Sequence, residues 1–217
     1  MAQADQAFMR SYAARKAAIR ALAPKVLIPK GERWKASIKD VREGGYIRFG
    51  GKTYRVADVS EYIETDETFR KKLGFSWKEL KLFCLETGET VWLEWEEDDE
   101  IEIFVTLQAL TFRDLRDDEG GAIDEDDLDT LVDDDEDVVY RGKTFEYDDD
   151  YGALYKRGGK GREQKGDKVY FYDFVAKDGE CITVEEWSEG KGDFAYEIFL
   201  SRELPTESVE ILSIGAA

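Results

Sequence analysis

The sequence predicts an all-β protein, mostly antiparallel, built as hairpin sheets or barrel-like lobes, with one α-helix at the N-terminus. Three observations carry this. From residue 44 onward apolar and polar residues alternate with period two, the spacing of a half-buried strand. Aromatic residues make up 13% of the chain, and they suit a pleated surface. The three prolines are Pro24, Pro29 and Pro205, so residues 30–204 contain nothing that removes a ladder donor.

The elements follow in order. Residues 3–23 are rich in Ala, Gln, Arg, Lys and Leu, with Phe8, Tyr12, Ile19 and Leu22 near one helical face, and Pro24 ends the run. Tyr46–Phe49, a Gly50-Gly51 turn and Lys52–Val56 predict a hairpin. Residues 58–73 fit either a short helix or a long hairpin arm. Trp77–Leu85, Thr90–Glu96 and Glu100–Leu107 predict three strands joined by tight turns. Residues 114–137 change character: 14 of the 24 are Asp or Glu, which predicts an acidic mobile loop. Short strands resume at Val138, and Lys156–Gly166 is a basic, glycine-rich hairpin tip. A meander then runs from Lys168 to Ile214, with Asp178-Gly179 as its clearest turn signal. Gly51-Lys52-Thr53-Tyr54 returns as Gly142-Lys143-Thr144-Phe145, which leaves an internal duplication open. The expected organisation is a basic helix and linker over 1–40, a first β lobe over 41–113, the acidic loop over 114–137 and a second β lobe over 138–217.

Charge is segregated along this chain. The net charge is -19, yet residues 1–40 hold nine Lys/Arg against three acids, a local +6. The remaining 22 basic and 47 acidic residues leave the body at -25. Opposite charges steer association, so a protein partner or a second copy of the chain is expected, with Arg10, Arg15, Lys16 and Arg20 as contact residues. The acidic body opposes nucleic acid. No apolar run approaches a membrane span, although peripheral contact through the N-terminal helix is left open. A secretory core is also missing, because Arg15, Lys16 and Arg20 interrupt the Ala-rich stretch. A cytoplasmic protein is expected, membrane-associated only through a partner.

The residue inventory narrows the chemistry. There is no histidine, so Ser–His–Asp and Cys–His catalysis cannot operate. Cys84 and Cys181 lie 97 positions apart in apolar strand patterns and read as two reduced, buried thiols. The acidic run fails the EF-hand register from both Asp124 and Asp133. The loop Lys156–Arg162 matches a phosphate cradle in composition only. Neither a cofactor, a metal set nor a catalytic residue is assigned. Glu79, Glu94 and Glu185 stand out because each lies among large apolar or aromatic residues in a strand. Such a carboxylate either lies on a wet sheet face or is partly buried with a raised pKa.

Trp77-Lys78-Glu79-Leu80-Lys81-Leu82, followed by Trp92-Leu93, resembles the W-x-E-x-x-L … W-L signature of a bacterial family described only as a domain of unknown function. The preceding hairpin from Gly44-Gly45-Tyr46 to Tyr54-Arg55-Val56, and the later Tyr172-Asp173-Phe174 and Ile182-Thr183-Val184-Glu185, extend the likeness over roughly 42–213. The acidic insert departs from it. The resemblance implies an accessory role near envelope-stress and polyamine-related genes, and it assigns no functional residue.

The function expected from these readings is a non-catalytic binding or scaffold protein acting through protein–protein contacts, in a bacterial envelope-stress assembly. Candidate contact residues in the body are Trp77, Glu79, Trp92, Glu94 and Glu185. An acidic polyanion mimic is one alternative. An enzyme using Asp/Glu chemistry is another, and it requires Glu79, Glu94 and Glu185 to converge.

Overall fold

The computed structural model describes residues 27–158, 166–190 and 193–215. The expected N-terminal helix, with Arg10, Arg15, Lys16 and Arg20, lies outside the described residues, as does most of the basic hairpin tip.

Twelve strands form the body: β1 (Tyr46–Phe49), β2 (Lys52–Thr65), β3 (Lys72–Cys84), β4 (Thr90–Glu97), β5 (Ile101–Leu110), β6 (Leu115–Arg116), β7 (Val138–Tyr140), β8 (Lys143–Arg157), β9 (Asp167–Val175), β10 (Glu180–Gly190), β11 (Asp193–Glu203) and β12 (Glu210–Ser213). Residues 58–73, open between helix and hairpin arm, are the far half of β2, its turn and the start of β3. The one short α-helix among the described residues, α1, spans Leu128–Asp133.

Pairing closes eight of these strands into an antiparallel ring. Its order is β2-β3-β4-β5-β11-β10-β9-β8, with β8 returning to β2. Closure leaves these strands no free edge over the paired lengths. At both seams like pairs with like: β2 with β8 through Tyr62↔Tyr155, and β5 with β11 through Phe199↔Ala109. The two runs β1–β5 and β7–β11 therefore follow the same course. Each opens with a two-residue hairpin whose turn residues both have positive φ, Gly50-Gly51 in one and Arg141-Gly142 in the other. The recurring Gly-Lys-Thr-aromatic tetrapeptide sits at that turn and at the head of β2 and of β8.

Two apolar cores cover opposite outer faces of the ring. The first joins Val56, Leu80, Leu82, Leu93, Ile103 and Val105 to Ile47, Ile38 and Ile211. The second joins Phe174, Ile182, Val184 and Ile198 to Phe145, Leu115, Ile123, Leu128 and Leu131. Chain ends cross between the halves: β12 pairs with β1, whereas β6 pairs with β7. Residues 28–40 carry two 3-10 turns and put Ile38 into the first core. The segment expected as an acidic mobile loop sends four apolar residues into the second core and folds one helical turn over it. Ile123, Leu128 and Leu131 recur among the acids at spacings that reach one face, and their burial anchors the charged remainder.

Candidate functional site

Strand alternation sends every second side chain of the ring inward. From β2 come Ser60 and Tyr62, from β3 Trp77, Glu79 and Lys81, and from β4 Trp92 and Glu94. The pairings Ser60↔Glu79, Tyr62↔Trp77, Glu79↔Glu94 and Lys81↔Trp92 hold them on one face. The other half supplies Tyr151 and Tyr155 from β8, Phe171 and Asp173 from β9, and Thr183, Glu185 and Trp187 from β10, in register through Tyr151↔Phe171, Thr183↔Asp173 and Glu185↔Phe171. That this face looks inward follows from contacts between strands that do not pair. Trp92 on β4 meets Phe199 on β11 at 6.0 Å, and Tyr62 on β2 meets Phe171 on β9 at 5.5 Å.

The interior has two layers. One is aromatic: Tyr62 stacks on Trp77 at 5.1 Å, Trp77 meets Phe171 edge-on at 5.4 Å, and Tyr155 meets Trp187 edge-on at 5.2 Å. The other is acidic. Glu79, Glu94, Asp173 and Glu185 come from four strands and both halves, and each carries a raised pKa. Burial comes first for Glu94, joined by the charges of Glu79, Asp173 and Glu96, and pushes it up to about 8. Burial also raises Glu79, to about 7, although Lys81 opposes it. Asp173 rises to about 6 through burial, held back by hydrogen bonds from Thr183 Oγ1 (2.6 Å) and the Tyr151 hydroxyl (3.0 Å). Glu185, 3% exposed, is raised well above its ordinary value by burial and by the Glu94 and Glu79 charges, while Trp187 Nε1 donates to its Oε2 at 2.9 Å. Desolvation and like charge both favour the neutral carboxyl.

The acidic layer is wet. Glu79, Glu94 and Asp173 keep accessible surface although they line a closed ring. Among the described residues, the polar side-chain atoms that are both dry and unpartnered are Thr65 Oγ1 and Trp95 Nε1. The interior carboxylates do not belong to that class, so their free lone pairs face solvent-sized space. The ring therefore keeps a water-accessible hollow beside its aromatic layer.

All five body residues singled out from the sequence, Trp77, Glu79, Trp92, Glu94 and Glu185, share this inner face. The convergence required for Asp/Glu chemistry is present, and of the two placements open to these carboxylates it is the partly buried one. Sequence reasoning missed Asp173, Tyr62, Tyr151, Phe171 and Trp187. Asp173, flanked by Tyr172 and Phe174, carried the signal that marks Glu94, a carboxylate between large apolar residues in a strand. The two cysteines are free; Cys84 is buried in the first core and Cys181 is half-buried. Among the described residues no group of three or more His, Cys, Asp or Glu is set to hold a metal ion, and no helix is long and apolar enough to cross a membrane.

The fold and its hollow define an antiparallel closed barrel of two like halves with an acid-lined interior. The chain matches the model of the domain of unknown function DUF4178 over residues 42–206, and it belongs to that family. No curated protein matches the chain. No solved structure matches it either.

Proposed function

We propose that this chain is a non-catalytic binding protein whose binding site is the hollow of the ring. The observation that supports the reading is the convergence of Glu79, Glu94, Asp173 and Glu185 from both halves onto one wet interior surface beside an aromatic layer. Crowding like charges there destabilises the empty protein, and a bound ligand offsets that cost. Native mass spectrometry of the chain purified gently from its producing cells tests this. A small molecule retained by the wild type and lost in Glu185→Gln supports the hollow as the site. A chain that carries nothing, or a ligand indifferent to that substitution, counts against it.

The protein is further proposed to be cytoplasmic and to act as a scaffold in an envelope-stress assembly, its -25 body meeting a basic partner or the +6 segment of a second copy. Salt-dependent self-association that disappears on removing residues 1–40 supports this contact; a monomer at low salt overturns it.

A second reading, an enzyme using Asp/Glu chemistry, is favoured by one observation. Glu79 and Glu94 are cross-strand neighbours raised to about 7 and about 8, which suits proton transfer near neutrality. Turnover abolished equally by Glu79→Gln and Glu94→Gln would establish it in place of the first.

A further inference from the structure

We infer that the open groove between α1 and the turn joining β2 to β3 is the docking site for residues 1–26 of a second copy of this chain. The inference rests on the proposed contact between the basic segment and the acidic body, and it places that contact.

The groove is a stretch of sheet that its own half leaves uncovered. The outward side chains Val184, Tyr172 and Ile198 lie in register across β10, β9 and β11 in the second core, and Glu186, Tyr170 and Tyr196 follow them in the next row. Leu128 and Leu131 of α1 pack on the apolar end, and beyond it the sheet opens into a space of about 770 Å³. Phe194 stands in that space 50% exposed. Phe69 forms the far wall. Its φ is 56°, a left-handed backbone that bulky residues rarely adopt, and Asp66 holds the turn by accepting from the backbone N–H of Arg70 (2.9 Å) and of Lys71 (3.2 Å). Gly152 makes room for the ring, since a Cβ there would lie 3.0 Å from it. The chain thus sustains strain to set an aromatic side chain at the groove.

Sign names the occupant. Glu67, Asp129, Asp133, Asp150 and Glu186 line the groove against one base among the described residues, Lys168. Asp150 and Glu186 are fixed on the floor, each accepting from two tyrosine hydroxyls: Tyr147 and Tyr170 for Asp150, Tyr172 and Tyr196 for Glu186. Lys168 shows what the aromatic wall accepts, its Nζ 4.7 Å from the centre of the Phe69 ring. Residues 1–26 offer the complement, with Arg10, Arg15, Lys16, Arg20 and Lys25 against Asp5, and with Phe8, Tyr12, Ile19 and Leu22 among them.

Connection decides whose segment it is. Ile28 donates its N–H to Leu212 on β12 and packs on the first core, whereas the groove continues the second, on the opposite outer face. With a helix over 3–23, as the sequence predicts, only residues 24–27 join it to Ile28, at most about 14 Å of chain. That tether does not carry the helix around the ring to its own groove, and a neighbour's groove meets no such limit. Two copies that exchange segments fill both grooves and close as a dimer.

Sedimentation velocity of the full chain at low and high salt tests this. A dimer is expected at low salt, dissociating as salt rises. Phe194→Ser and Phe69→Gly should each weaken it about tenfold or more. Both should stay folded by circular dichroism, because Phe194 is half exposed and glycine suits the left-handed backbone at 69. Asp133→Lys in the groove should weaken the dimer, whereas Glu207→Lys, the same charge change on the exposed surface of the first half, should leave it unchanged. Arg15→Glu combined with Arg20→Glu should abolish it. A dimer lost in that arginine variant but indifferent to Phe194→Ser, Phe69→Gly and Asp133→Lys overturns the groove and leaves the charge contact standing. A dimer indifferent to the arginine changes, or a chain that is monomeric at low salt, removes both.

Discussion

One strand shows two environments. The outward side chains of β3, Leu80, Leu82 and Cys84, sit fully buried in the first core, while the inward ones, Trp77, Glu79 and Lys81, line a wet, charged space. The same contrast holds on β10, where Ile182 and Val184 pack outward and Thr183, Glu185 and Trp187 face inward. A small closed barrel usually fills its interior with apolar side chains. Here much of the apolar filling lies outside, beneath β1, β12 and the 3-10 turns on one face and beneath α1, β6 and β7 on the other, and the interior keeps only its aromatic layer. Stability thus resides on the outer faces and leaves the interior free to hold groups that oppose folding.

Substitutions that separate the two faces should differ in sign as well as size. Phe145 is fully buried in the second core, and Phe145→Ala should lower stability by about 3–5 kcal/mol in denaturant unfolding, a loss of transfer energy plus a cavity. Leu82→Ala should cost about 2–5 kcal/mol in the first core by the same argument. An inner-face change should act the other way. Glu94 ordinarily titrates at 4.5 and is raised to about 8 in the folded chain. Between those values the folded state holds a proton that the unfolded state has released, so stability falls as pH rises through this window. Glu94→Gln should lessen that slope, to which Glu79, Asp173 and Glu185 also contribute, and raise the Tm at pH 8, where the wild type has begun to bear the charge; one kcal/mol corresponds to roughly 2–4 °C for a chain of this size. A wild-type melting temperature that rises from pH 5 to pH 8 would contradict this.

Smaller effects should come from single polar contacts. Trp187→Phe removes the hydrogen bond to Glu185 and keeps most of the ring area, for a loss of about 1 kcal/mol, readable by denaturant unfolding at pH 7. The smallest should be Arg33→Gln at the rim. Its 2.7 Å pair with Glu210 links the first 3-10 turn to β12, but both side chains keep contact with solvent, so the loss should stay below about 1 kcal/mol and shrink in salt.

Much of this fold is readable from local pattern. Period-two runs marked most strands, and glycine at positive φ marked turns such as Gly50-Gly51 and Gly179. Alternation tells which residues share a face but not which face is dry. Glu79 and Leu80 look alike whether the ring closes around the one or the other, and closure depends on Tyr62↔Tyr155 and Phe199↔Ala109, pairs about 90 residues apart in sequence. The five singled-out body residues were legible as carboxylates and tryptophans amid apolar neighbours; their convergence was not, because it depends on those distant pairs. The acidic segment misled for another reason. Fourteen acids in 24 positions outweigh the few apolar residues in composition, yet Leu115, Ile123, Leu128 and Leu131 suffice to dock it.

Carboxylates from both halves share one largely buried interior, where partial burial and like charge raise their pKa values. The most direct measurement is a carbon-13 NMR titration of the side-chain carboxyls in the full chain. Asp173, Glu79 and Glu94 should titrate at about 6, about 7 and about 8, with Glu185 well above its ordinary value, and Glu94→Gln should lower the Glu185 midpoint. Every carboxyl titrating in its ordinary range, or a Glu185 midpoint indifferent to Glu94→Gln, would contradict it.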